Sequence, residues 1–234
     1  GLASAFALNA ISYLAMIVAL LLIELRTKRS GGAKSHFLSE LRDGFVYTFQ
    51  HRAIRQQLLI VAIAALFGRA TIVMLPAFAG GVFGGGSSAL ATLTSVSGAG
   101  AIGAGIYLTR LGAGRRLLRA IVGATLISGM LMAGLGLTDS YIVAIFLVVA
   151  LSFVLTLIGI GSQSLIQTEV DEFMRGRVLS LWAAVAFSAP AIGSVIIGVI
   201  AGWIGIGLVT FLSGLVCSAL ALMLTIRIFK APPR

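Results

Sequence analysis

The hydrophobic positions of this chain come in long unbroken runs separated by short polar stretches. They show neither the stripe of an amphipathic surface helix nor the alternation of a half-buried strand. About 20 consecutive apolar residues carry a helix across a hydrocarbon core. Seven runs reach roughly that length, at 2–23, 56–79, 88–109, 117–137, 141–166, 178–201 and 206–228. The pattern predicts an all-α integral membrane protein with seven transmembrane helices. One segment has a different rhythm. Between the first two runs Phe37, Leu41, Phe45 and Phe49 recur at every fourth position among Glu40, Arg42, Asp43 and Gln50, which predicts a short amphipathic helix at a membrane interface.

Composition agrees, with 59% hydrophobic and 10% charged residues where a soluble domain has about a quarter of its residues charged. A net charge of +10 would point to nucleic acid in a soluble protein, but here the basic residues report topology and imply no nucleic-acid partner. The segment 24–55 holds Arg26, Lys28, Arg29, Lys34, Arg42, Arg52 and Arg55, and the next basic connection holds Arg110, Arg115, Arg116 and Arg119. Arg175 and Arg177 follow in a third, and Arg227, Lys230 and Arg234 close the chain. The intervening connections, 80–87, 138–140 and 202–205, hold no basic residue. By the positive-inside rule the basic connections are cytoplasmic, which puts the N-terminus of this chain outside and the C-terminus inside.

One basic residue is left over. Arg69 lies inside the second run, about 20 Å from its inner end at 1.5 Å per residue. A guanidinium at that depth costs about 2.5–3.5 kcal/mol on insertion scales and normally faces a protein interior or a wet cavity. All seven acids, Glu24, Glu40, Asp43, Asp139, Glu169, Asp171 and Glu172, fall in connections or at helix ends. The partner of Arg69 is therefore backbone and water, an anionic substrate, or a carboxylate from helices beyond this chain. That makes Arg69 the first candidate for a cavity residue, against a packing role.

Ser152, Thr156, Ser162 and Gln163 are among the polar positions of the fifth run, able to bond a neighbouring helix or to line a pathway. The third run carries Gly98, Gly100, Gly103 and Gly105, small residues that let helices approach closely in lipid or slide. Pro76 and the Pro190–Gly193 pair are hinge candidates, since proline removes a backbone donor and kinks a helix. Several chemistries lack their residues. The single Cys217 builds no disulfide framework. His36 and His51 have no acid or thiol at ligand spacing, so no metal is expected. No run contains a Lys for a Schiff base or a His to activate a serine, and no phosphate-binding loop precedes a Lys-Ser or Lys-Thr pair. No enzyme activity and no bound cofactor are expected. The chain opens at Gly1 directly into an apolar run of spanning length whose first positive charge follows it, which reads as a retained helix with an upstream segment missing.

Three stretches together resemble the major facilitator superfamily, within the bacterial branch that includes the enterobactin exporter and macrolide efflux proteins: HRAIRQQLLIVAIAALFGRATIVMLPAF from His51, SQSLIQTEV from Ser162 and DEFMRGRVLSLW from Asp171. The resemblance implies that 1–23 is the sixth helix of a twelve-helix transporter and 24–55 the central cytoplasmic linker. Residues 56–228 would be the C-terminal six-helix half, an inverted three-plus-three repeat, and 229–234 a cytoplasmic tail. It also implies two cytoplasmic elements, one at Arg110, Gly112, Arg115 and Arg116, the other at Asp171, Arg175, Gly176 and Arg177. Thr109 stands where the family's signature has an acid. The function implied is export of a small amphipathic molecule, such as a drug, siderophore or metabolite, across the bacterial cytoplasmic membrane by alternating access on a proton gradient. Its partners would be the bilayer, the substrate, and missing N-terminal helices or a complementary subunit. The competing reading is a non-transporting scaffold component that works only by assembly with other helices.

Overall fold

The computed structural model describes residues 2–22, 37–112 and 114–229. The expectations for Arg26, Lys28, Arg29, Lys34, His36, Lys230 and Arg234 lie outside those residues, as do the side chains of Phe37, Glu40, Leu41 and Asp43. Two units are distinguished. In the first, α1 (Leu2–Leu22) is a 21-residue helix, apolar throughout.

The second unit begins with α2 (Phe37–Gln50), which confirms the short helix read from the four-residue phenylalanine spacing. Phe45 and Phe49 are exposed, with ring centroids 4.4 Å apart. Six helices of membrane-crossing length follow: α3 (Arg52–Val82), α4 (Gly86–Leu111), α5 (Arg115–Leu137), α6 (Tyr141–Glu169), α7 (Glu172–Ile204) and α8 (Ile206–Phe229). No strand occurs among the described residues. The helices extend past the apolar runs at several ends. Arg52 and Arg55, assigned above to the linker, belong to α3, and Arg175, Gly176 and Arg177, assigned to a connection, are in the first turns of α7. An apolar run marks only the hydrocarbon crossing, and Arg, Glu and Gln extend a helix into the interface at little cost.

At the centre stands α6, with thirteen buried residues. Leu151, Leu155, Ile158 and Leu165 join Ile60, Ile121 and Leu117 in the main core. Toward one end Phe78, Leu93, Leu135 and Val148 form a second core, and toward the other Ile54, Ile166, Val170 and Val178 form a third. Helices α5 and α8 pack backbone to backbone. A Cβ on Gly129 would meet the Gly214 carbonyl oxygen at 2.6 Å, and one on Gly207 the Gly136 carbonyl oxygen at 2.8 Å. Glycines spaced by seven on both helices therefore bring two backbones into contact, where dispersion and weak Cα–H···O contacts hold helices together in lipid. Gly205 makes the α7–α8 turn at φ +85°, a region that favours glycine.

Candidate functional site

Arg69 sits in an irregular stretch of α3. The helix is α-helical over Arg52–Ile63 and then widens into a π-helical segment, Ala64–Arg69, where the Ala70 amide donates to the Ala65 carbonyl. Beyond Ala70–Val73 it breaks at Met74, just before Pro76, and a second π-helical stretch covers Phe78–Val82. Such widened turns are rare and frequently occur at functional sites. No feature of residues 64–69 forecasts one.

The backbone around Arg69 is enclosed on two sides. A Cβ on Gly68 would overlap the Leu155 side chain of α6, and one on Gly193 of α7 would collide with the Leu66 carbonyl oxygen and come within 2.8 Å of the Ala70 Cβ. Gly68 and Ala70 are buried, whereas the Arg69 side chain is exposed. Its guanidinium reaches α6 beside Gly159, with Nη2 4.0 Å from where a Cβ on that glycine would sit. Among the described residues, no acid, carbonyl or hydroxyl is hydrogen-bonded to Arg69. An insertion cost of about 2.5–3.5 kcal/mol is thus not offset by a partner among the described residues.

Gly159 belongs to a stripe. Ser152, Thr156, Gly159 and Gln163 follow one another at spacings of four, three and four, which keeps them on one face of α6. The fifth-run candidates Ser152, Thr156 and Gln163 therefore share a face of α6 with Gly159, the glycine that Arg69 lies beside, which carries no signal of its own in the sequence. Ser152 and Thr156 are 7% and 9% exposed. Their hydroxyls make no hydrogen bond among the described residues, while Thr71, Thr125 and Ser128 donate back to carbonyls of their own helices. Ser162 Oγ and Gln57 Oε1, both buried, also lack partners.

The hinge candidates separate. Helix α3 is interrupted where Pro76 requires it, whereas α7 is continuously helical through Pro190. Gly193 is a close-packing site against the π-helical segment. Gly100 packs against the Val149 carbonyl and a Cβ on Gly103 would lie 3.5 Å from the Phe153 ring, but one on Gly98 or Gly105 would meet no atom within 4 Å. Cys217 is buried, 3.9 Å from Ser128 Oγ.

A model of the transmembrane secretion effector family, MFS_3, matches residues 1–232. The chain belongs to that family. No curated protein matches it, and no solved structure does. As an MFS_3 member with six membrane-crossing helices, it is a multi-pass membrane protein of the major facilitator transporter type, with lipid around its helices and a small molecule as the substrate class.

The basic end of this MFS_3 chain is tied together by α2. Tyr47 Oη donates to the Asp171 carboxylate at 2.9 Å, and its ring lies against His51, with centroids 3.9 Å apart. Asp171 starts α7, yet its side chain caps none of that helix's free amides and accepts from Tyr47 instead. One turn earlier on α2, a Cβ on Gly44 would stand 3.0 Å from the Arg177 Cβ. Burial, and then the hydrogen bond to Asp171, raise the Tyr47 phenol above its ordinary value. Arg52 donates to the Arg227 carbonyl oxygen at 2.7 Å, joining α3 to α8 at the same end. Of the cytoplasmic elements named above, Arg110, Gly112, Arg115 and Arg116 are exposed, and Thr109 donates to the Ile106 carbonyl of its own helix. Arg175 and Gly176 are exposed, and Arg177 is half-buried beside α2. Tyr47 was not singled out from the sequence, because the phenylalanine periodicity describes the opposite side of α2.

Proposed function

We propose that this MFS_3 protein is a secondary active exporter that moves a small amphipathic molecule, such as a drug, siderophore or metabolite, outward across the bacterial cytoplasmic membrane. The observation that carries the reading is Arg69, a charge in the middle third of a 31-residue span, unpaired among the described residues and lying beside the polar stripe of α6. A residue of that kind marks a substrate or ion path by default. Transport proceeds by alternating access, with the helix ends bearing the basic connections in the cytoplasm. Arg69, Ser152, Thr156 and Gln163 line the substrate face. Pro76 and the Pro190–Gly193 region take up the rocking motion, and no bound cofactor takes part. A proton gradient drives the cycle, with its carboxylate supplied by helices that assemble with these, because the acids within the six spans, Glu169 and Glu172, stand at helix ends.

A scaffold that functions only by assembly draws on one observation, the low enclosure of α4 and α7. These two are the least covered of the six spans, and further helices against them serve an exporter equally well. The test is release of accumulated compounds from cells with and without the whole protein, over a panel of drugs and siderophores. Faster release of at least one compound is expected; identical release across the panel would leave the scaffold as the better account.

A further inference from the structure

The transporter reading leaves the chemistry of the substrate open, and the surroundings of Arg69 narrow it. A guanidinium does not lose its proton inside proteins, so this face meets its ligand with a permanent positive charge. The acids at the two ends of α6 do not reach it. Glu169, the last residue of α6, lies about 15 Å along the helix from Gly159 at 1.5 Å per residue, and Asp139 is in the connection between α5 and α6. Gly159 keeps the space beside the guanidinium free of any side chain. On either side of that space stand groups with unused hydrogen bonds. Thr156 and Ser152 lie about 4.5 and 10 Å toward one end of α6, and Gln163 about 6 Å toward the other. Leu155 of α6, against which Gly68 packs, adds an apolar side chain between the same two helices.

We propose that the substrate is an amphipathic anion, whose carboxylate or other oxyanion pairs with the exposed Arg69 guanidinium beside Gly159 while Ser152, Thr156 and Gln163 bond its remaining polar groups. The inference rests on the exporter reading and deepens it. A guanidinium fork matches an oxyanion with two parallel hydrogen bonds, which a neutral ligand does not supply and a cationic one opposes. The same chemistry can come from a carboxylate on another helix of the assembled protein, and the test separates the two sources.

The experiment uses the whole protein in lipid nanodiscs, with three naphthalene probes of one size: 1-naphthalenesulfonate, 1-naphthylmethanol and trimethyl(naphthylmethyl)ammonium. Binding is measured by equilibrium dialysis against empty nanodiscs. The sulfonate is expected to bind at least tenfold more tightly than the other two. Arg69→Gln should abolish that preference, Arg69→Lys should keep it within a few-fold, and Gly159→Leu, which displaces the guanidinium from α6, should remove it with the charge intact. The wild-type preference alone carries the test if a variant fails to fold. Equal binding of the three probes, preference for the ammonium, or no sulfonate binding overturns the proposal, as does an Arg69 held by a carboxylate of another helix, seen as sulfonate-independent stability lost in Arg69→Gln. Release of the same probes from proteoliposomes separates the two claims. Ammonium release unaffected by Arg69→Gln overturns the anion inference and keeps the exporter. Arg69-dependent sulfonate binding without release of any probe keeps the site and overturns the exporter.

Discussion

The Arg69 guanidinium lies against α6 at Gly159, its Nη2 4.0 Å from the position of an added Cβ, and no other atom stands that close to that position. A methyl group fits there and a larger side chain does not fit without displacing the guanidinium. Gly159→Ala is therefore expected to transport at near the wild-type rate, and Gly159→Leu to lose most activity at unchanged abundance. Initial efflux rates from proteoliposomes compare the two. Equal rates for both would remove Gly159 from the site.

Gly193 and Gly98 were read from sequence as similar hinge residues, and the structure predicts opposite behaviour. A Cβ on Gly193 must push α7 away from the Leu66 carbonyl, an overpacking that costs about 1–3 kcal/mol. A Cβ on Gly98 meets nothing in this chain, and in a helix alanine is favoured over glycine by about 0.8–1.0 kcal/mol. Thermal unfolding in detergent should fall for Gly193→Ala and hold or rise for Gly98→Ala. If Gly98→Ala also lost transport while staying folded, its face would be one that other helices cover.

These two glycines show where the sequence was legible and where it was not. The spans were readable because hydrocarbon admits only long apolar helices, and Arg69 was readable because a charge inside such a run is conspicuous. Glycines inside a run carry no such signal. Whether one faces a backbone, as Gly193, Gly129 and Gly214 do, or open space, as Gly98 does, depends on how helices cross. The π-helical turn before Arg69 is likewise a product of packing. Polar residues at helix ends misled the reading in the other direction: Glu172 to Arg177 looked like a connection, and helical hydrogen bonding continues through them.

The Tyr47–Asp171 hydrogen bond makes a prediction about pH. Because the Tyr47 phenol is raised above 10.0 by burial and by Asp171, the protonated form is the one the fold stabilises. Its contribution is fully present below pH 10 and is lost as pH rises through the shifted value. Tyr47→Phe should cost about 1 kcal/mol at neutral pH, a difference from wild type that disappears under strongly alkaline conditions. A constant difference across that range would mean that the hydroxyl is not held by the carboxylate.

Orientation is testable with single cysteines in a Cys217→Ser background. Ser140→Cys, between α5 and α6, should react with a membrane-impermeant maleimide added to intact cells. Arg115→Cys, at the basic end, should react only after the cells are opened. The reverse pattern would invert the topology and, with it, the side on which α2 lies.

Efflux by the whole protein, reconstituted in proteoliposomes with an imposed proton gradient, tests the account most directly when wild type, Arg69→Lys and Arg69→Gln are compared at equal folded abundance. The account predicts gradient-driven release by wild type, partial release by Arg69→Lys, and at least a tenfold loss for Arg69→Gln. Wild-type rates from Arg69→Gln would contradict it, because the charge would then take no part in moving the substrate.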